Sequence, residues 1–358
     1  MKPARLAAAA LLSTLAATPV LPAQSAHGDG KLHIAAIDVE GGQATLFVSP
    51  AGQSLLVDAG WPGNNYRDAD RIVAAAKDLG LARIDAVLIT HYHTDHAGGV
   101  PQLVERIPVG TFIDHGDRDP HDPESSSDYD NYKKVLATGK YKRESVKAGD
   151  KLPAAGFDGT VIAAAGRVLR DPLPGAQPGA NPLCGKAPAV LTDAEENGQS
   201  LAIVLRFAGL TIVDGGDLTL DRERQLVCPV NKVGKVDLMI VSHHGVDWSS
   251  SPVWIDTLAP RVAVMDNGSD KGGSTSVIDT IKASPRLQAL YQLHVAPPTT
   301  YRNPGQTEQG GPEHNTAAEL IANGQGADGK RVDVTVNPDG SMDVRNQGTG
   351  QTKHFAKQ

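Results

Sequence analysis

The chain has 358 residues, of which 40% are hydrophobic, 21% charged and 4% aromatic, and its formal net charge is −7. This length allows one large domain or two modest ones, with a core resting on Ala, Val, Leu and Ile. The acidic balance argues against a non-specific polyanion binder and against a stable nucleic-acid complex, and it leaves room for a small phosphate-bearing substrate.

Residues 1–26 read as a signal peptide: Lys2 and Arg5 supply the positive start, Leu6 to Val20 is an Ala/Leu-rich apolar stretch, and Ala23 and Ala26 offer small residues for cleavage. The other reading is an uncleaved anchor, for which the apolar stretch is short. No later run of about 20 apolar residues follows, so no membrane span is expected in the mature chain. The expectation is an exported protein, periplasmic or secreted. In that setting Cys184 and Cys228 have two readings, a disulfide or a metal role.

Residues 31–60 alternate as consecutive short strands around the turn "SPAGQ". Ile72, Val73, Ala76 and Leu79 have helical spacing over 67–79, and Gly80 ends that helix. "DAVLIT" (85–90) is a buried strand that runs into a histidine cluster. "HAGGVPQLVERI" opens a helix, and "VGTFIDHG" (109–116) is a strand with a polar end. Residues 117–134 read as a polar surface excursion, and "SVKAGDKL" with "GTVIAAAG" as a hairpin. Residues 166–199 form a long Pro/Gly-rich loop. Residues 200–217 form a hairpin turning at "AG"; "KVDLMIVSHHG" and "PRVAVMDNG" are buried strands with polar tips. A helix is expected near Asn315, and the tail is a hairpin around "NPDG". No composition break marks a second domain, so 27–358 is read as one domain.

"HYHTDH" places His91, His93, Asp95 and His96 within six positions. In an extended segment the spacing of His91 and His93 turns both imidazoles the same way, while Asp95 and His96 face a second position. Imidazole with carboxylate suits zinc, manganese or iron better than calcium. Four such groups exceed what one tetrahedral ion takes from a single turn; two adjacent ions fit better.

"HYHTDHAGG" resembles the metal-binding signature of the metallo-β-lactamase superfamily. Further segments follow in that family's order: "LLVDAG" with Asp58, "VDGGDLT" with Asp217, and "VSHHG" with His243 and His244. Within the superfamily, "NGQSLAIVLRFAGLTIVDGGD" followed by "VDLMIVSHHG" is similar to the hydrolase domain of ComEC-type competence proteins and their stand-alone relatives, with Asn197, Ser200, Asp217, His243 and His244 in matching positions.

The resemblance implies an αββα sandwich, two mixed sheets flanked by helices. It implies two zinc ions, with Mn2+ or Fe2+ as alternatives. His91 and His93 would hold the first, and Asp95, His96 and one of the His243–His244 pair the second, with Asp217 bridging. His244 is favoured as the ligand, with His243 near the substrate. Asp58 would orient a ligand from behind, and Asp214 reads as a turn residue. Classical members carry a further His just before the strand that begins here at Ser200; "AEENGQSL" has none, Glu195, Glu196 or Asn197 fills that region, and Glu196 or the distant His115 is left to supply the ligand. His314 is a candidate substrate contact, whereas His33, His121, His294 and His354 stand isolated. The implied function is an exported hydrolase using a metal-bound hydroxide, with Asp95 and His243 in the chemistry, acting on a phosphoester or phosphodiester. The alternatives are a lactone or β-lactam hydrolase, or a metal-binding protein without catalysis. The sequence is silent on oligomeric state.

Overall fold

The computed structural model describes residues 28–118, 120, 125–176, 178–186, 195–296, 299–302, 306–309, 312–324, 326 and 328–358. The signal-peptide segment, His121 and the middle of the Pro/Gly-rich loop (187–194) lie outside the described residues.

Two large sheets face each other. In the first, Thr352–Phe355, Met342–Asn346, Val332–Val336, Leu32–Ala36, Thr45–Val48, Ser54–Val57, Ile84–Leu88, Val109–Asp114 and Lys142–Ser145 are neighbours in that order. It is antiparallel up to Ser54–Val57 and parallel beyond. The second runs Ile321–Asn323, Ala289–His294, Val262–Met265, Leu238–Ile240, Leu210–Asp214, Ala202–Phe207, Asp158–Ala164 and Arg167–Val168. Its first five strands are parallel and the rest antiparallel.

The two-residue period of a strand sorts the side chains into layers. Leu55 and Val57 point between the sheets, where they meet Leu88, Ile212, Ile240 and Val264. Leu56 points outward, with Val87 and Phe112, onto Ile72 and Ala76 of the helix Arg67–Asp78. On the other side Val213, Met239 and Ala263 pack against Trp254 and Ile255 of the helix Pro252–Leu258 and Ile278 of the helix Thr275–Lys282. Central strands are therefore apolar on both faces, which is why they read as unbroken hydrophobic runs. Each fully buried Val, Leu or Ile contributes about 1.5–3 kcal/mol. The layers are helix, sheet, sheet, helix, the expected αββα sandwich.

Three expectations need correction. Residues 117–134 are not simply a surface excursion: Ser126–Ala137 is a helix that buries Tyr129 and Tyr132 against Tyr92 and Phe112. Its apolar stripe, Tyr129, Tyr132, Val135 and Leu136, begins only after a polar and acidic first turn and runs past residue 134, so the segment 117–134 alone shows little period. The hairpin expected across 145–166 forms near its turn, where Lys151 bridges Thr160 antiparallel and backbone bonds run from Gly149 N to Val161 O, Val161 N to Asp150 O and Leu152 N to Gly159 O. Its outer part is split, with Ser145 ending a strand of the first sheet and Asp158–Ala164 joining the second. Near Asn315 there is no α-helix among the described residues; single turns at Pro312–His314 and Ala318–Leu320 lead into Ile321–Asn323.

Candidate metal centre

The parallel strands of both sheets deliver their carboxyl ends to one edge, where ligands bind in open α/β sheets. Ser54–Val57 is followed by Asp58, and Ile84–Leu88 by the 90–96 turn. On the other sheet Leu210–Asp214 leads to Asp217, Leu238–Ile240 to His243 and His244, and Val262–Met265 to Asp266. Gly216 has φ +51, and a Cβ there would lie 2.8 Å from Thr90 Cβ, so only glycine lets the two turns approach this closely. The His243 amide donates to Gly216 O at 3.0 Å and ties in the third segment. His243 and His244 are both left-handed, with φ 55 and 52. That conformation costs about 1–2 kcal/mol per residue, the kind of strain that collects at functional sites.

Asp95, His96, Asp217 and His244, all buried, bring one ligand atom each within 4.8 Å of one another. Nε2 of His96 is 3.3 Å from Asp95 Oδ2 and 3.2 Å from Asp217 Oδ2; Nε2 of His244 is 3.1 Å from Asp95 Oδ2 and 3.6 Å from Asp217 Oδ1. His91 adjoins them, with Nε2 3.8 Å from Asp217 Oδ2 and 3.1 Å from Nδ1 of His93. Of the late pair, His244 joins the four-residue group. His243 lies beside it, with Nε2 3.2 Å from Asp217 Oδ2 and Nδ1 3.0 Å from Ser249 Oγ.

Residues behind the cluster orient it. Asp58 lies 2.7 Å from His96 Nδ1 and accepts from Thr90 N and Oγ1 at 2.8 and 2.6 Å. Asp266 Oδ1 is 3.4 Å from His244 Nδ1. Asp214 accepts from Gln43 Nε2 at 2.7 Å and Gly216 N at 3.2 Å, so it shapes the turn.

The electrostatics are those of a site short of positive charge. Burial alone would raise Asp95 and Asp217, yet Lys271 and His96 for the first, and His243, His96 and His244 for the second, hold both well below the usual carboxylate range. Burial would lower His96, but Asp217, Asp95 and Asp58 together raise it well above an ordinary histidine. Burial pushes His91 well down, helped by His96 and His93, and pushes His243 down to about 3 against the pull of Asp217. Nε2 of His96 and Oδ1 of Asp217 are buried without a hydrogen bond. Orphaned imidazole and carboxylate atoms facing one point are a donor set that fits a divalent ion of the zinc, manganese or iron kind.

A cavity of about 390 Å3 opens over the cluster, lined by Trp61, His93, Asn197, His243, Trp248 and Lys271 among others. Asn197 thus reaches the cavity. Glu196 does not: its Oε1 accepts from Tyr92 N at 3.2 Å and lies 3.0 Å from Nε2 of His115. This buried pair braces the turn from behind, and neither residue joins the cluster. His314 sits apart, 2.8 Å from Asp279 on a surface helix, and is not among the residues lining the cavity. His294 is structural, buried 2.8 Å from Asp38, which Arg71 also contacts. Lys271, whose ammonium contacts Asp95, and Trp61 and Trp248 carried no sequence signal: each is a single residue in an irregular loop.

The family model of the metallo-beta-lactamase superfamily matches residues 37–180. Among curated proteins, the hydroxyacylglutathione hydrolase of Stenotrophomonas maltophilia is 41% identical over 63 residues, 18% of this chain and 21% of that protein. That of Aliivibrio salmonicida is 51% identical over 41 residues, 12% and 16% respectively. The chain thus spans about a fifth of the length of these relatives. Among solved structures, zinc-bound PqqB from Methylobacterium extorquens is 15% identical with a TM-score of 0.36, covering 60% of this chain and 73% of that one. The diiron β-hydroxylase CmlA from Streptomyces venezuelae is 16% identical with a TM-score of 0.38, covering 66% and 45%. Over residues 37–180, then, the chain is similar to the metallo-beta-lactamase superfamily.

Proposed function

We propose that the protein is an exported, metal-dependent hydrolase of phosphoesters or phosphodiesters. The observation that carries the hydrolase reading is the convergence of Asp95, His96, Asp217 and His244 within 4.8 Å, with His91 and His93 alongside, beneath an open cavity. His91 and His93 would hold one ion and Asp95, His96 and His244 a second, with Asp217 between them. Such ions supply Lewis acidity at a substrate oxygen and lower the pKa of water toward about 7.

The chain's own groups do the rest. Asp58 fixes the ring of His96, and the Asp266 carboxylate lies 3.4 Å behind that of His244. Asp95, at the cavity wall, is the carboxylate placed to take a proton during attack. His243 lines the same cavity beside Asp217 and would meet an oxygen on which charge develops. Lys271 brings a cation to the cavity, which supports an anionic substrate, and Trp61 and Trp248 provide apolar wall. Export is supported by the Cys184–Cys228 disulfide, since such bonds persist in oxidising compartments.

A second reading, hydrolysis of a carboxylic ester or thioester, is favoured by the short similarity to hydroxyacylglutathione hydrolases. A panel of chromogenic phosphomonoester, phosphodiester, lactone, thioester and β-lactam substrates, with metal analysis, separates the readings. Turnover of a phosphoester, lost with a chelator and restored by zinc or manganese, is expected. Metal-loaded protein inactive on every class would overturn the catalytic reading in favour of metal binding alone.

A further inference from the structure

We propose that the substrate of the metal centre is an aryl ester, with a planar aromatic group joined through the ester oxygen to the anionic phosphoryl group, and that Trp61 and Trp248 hold that group. The inference rests on the phosphoester reading of the same site. The chain has three tryptophans, in a sequence of which only 4% is aromatic. Trp254 is buried in the core outside the second sheet. The other two, Trp61 and Trp248, are half-buried, and both line the cavity of about 390 Å3 over the cluster. Indole surface left partly wet at a concave site is surface that a ligand can cover.

Both indoles are anchored. The Trp61 amide donates to Asp68 Oδ2 at 2.8 Å, and the missing side chain of Gly42 leaves room for the indole nitrogen, 3.0 Å from where a Cβ would stand. The indole N–H of Trp248 donates to the ring of His243, 3.0 Å from Nδ1, and the two rings meet edge-on with centroids 5.5 Å apart. Each indole is also one side chain away from a carboxylate of the cluster. The Lys271 ammonium contacts Asp95 and lies 5.3 Å from the centroid of the Trp61 ring. Nε2 of His243, the partner of Trp248, is 3.2 Å from Asp217 Oδ2. A phosphoryl group at the cluster beside Lys271 therefore has aromatic surface one short linkage away. An aliphatic group would gain only burial there, whereas a planar π system also gains offset or edge-on packing against the indoles.

The test uses zinc-loaded protein and three non-hydrolysable phosphonates, phenyl, cyclohexyl and methyl, with affinities measured by titration calorimetry. Phenylphosphonate should bind at least about tenfold more tightly than methylphosphonate and at least about threefold more tightly than cyclohexylphosphonate, which matches its size without the π system. Trp61→Leu should cut the preference for phenyl over cyclohexyl at least about twofold, with zinc content and methylphosphonate affinity unchanged. Trp61→Phe, which restores a ring, should keep the preference. Equal affinity for phenyl and cyclohexyl would overturn the aromatic assignment and leave the phosphoester reading standing. A preference undiminished in Trp61→Leu, or lost equally in Trp61→Phe, would overturn the role of Trp61. Binding of none of the three would overturn the phosphoester reading and this inference with it.

Discussion

Asp58 and His96 form a fully buried pair in which the carboxylate Oδ2 lies 2.7 Å from Nδ1 of the ring. Where a metal ion displaces the Nε2 proton that Asp95 and Asp217 otherwise favour, the Nδ1 proton would stay with Asp58 and the Nε2 lone pair would serve the ion. The pair thus decides which nitrogen of His96 serves the cluster, as carboxylate–histidine pairs behind metals do. Asp58→Asn keeps an acceptor for Thr90 but removes the charge that fixes the ring. Metal affinity, measured by chelator competition, should fall about 10–100-fold while the fold persists. Unchanged affinity would show that Thr90 and packing alone orient His96.

His243→Ala and His244→Ala should part company. His244 shares Asp95 with His96 and is backed by Asp266, so its loss should release metal from the Asp95–His96 position. His243 is held by Ser249 and by the indole N–H of Trp248, 3.0 Å from its Nδ1. Its loss should leave metal content intact and lower turnover by about 10²–10³, as removing a group aimed at developing charge does. Equal metal loss in both variants would place His243 among the ligands.

The "HYHTDH" run was legible because its imidazole and carboxylate groups are contiguous and follow a buried strand. Asp217 and the His243–His244 pair were legible because apolar strands end in them. The division between the late histidines needed coordinates, since it depends on two consecutive left-handed residues. The pairing of Glu196 with His115, 81 positions apart, left no trace in spacing. Lys271 is one lysine in a Gly/Ser-rich loop, and only folding brings it to Asp95 across 176 positions. Contacts between sequence-distant single residues carry no periodicity, and the site is built from many of them.

Cys184 and Cys228 are joined across a sequence separation of 44, and the bridge ties the Pro/Gly-rich segment to the end of the helix Leu220–Val227. Closing a loop of that length stabilises a fold by about 2–4 kcal/mol. Cys184→Ser/Cys228→Ser should therefore lower the melting temperature by several degrees, measured by calorimetry at fixed metal saturation. Protein recovered from the cell envelope should give the cross-linked peptide in non-reducing mass spectrometry and an N-terminus near Gln24 or His27. Free thiols in such protein, or an intact Met1 in the cytosol, would overturn export.

Glu223 is buried on the helix Leu220–Val227 and accepts from the amides of Ser250 and Ser251, the second at 2.8 Å. These residues follow Ser249, which holds His243. Burial raises the Glu223 carboxyl from its ordinary 4.5 to about 7, against the pull of the Ser251 and Ser250 hydrogen bonds. The folded state therefore binds a proton more tightly than the unfolded chain does. Between about pH 4.5 and 7 the folded state holds more protons, so the slope of stability with pH is negative there. Glu223 thus contributes a loss of stability as pH rises through that window, of order 3 kcal/mol, and a flat contribution above it. Glu223→Gln cannot ionise. Its amide loses one of the two backbone hydrogen bonds, at a cost of about 1 kcal/mol at every pH. The variant should be less stable than the parent near pH 4.5 and should match or exceed it near pH 8. Chemical denaturation of both proteins across that range, at equal metal saturation, measures the difference and cancels the metal's own pH dependence. A stability difference that stays constant with pH would show that Glu223 is ionised throughout and that its two amide donors outweigh its burial.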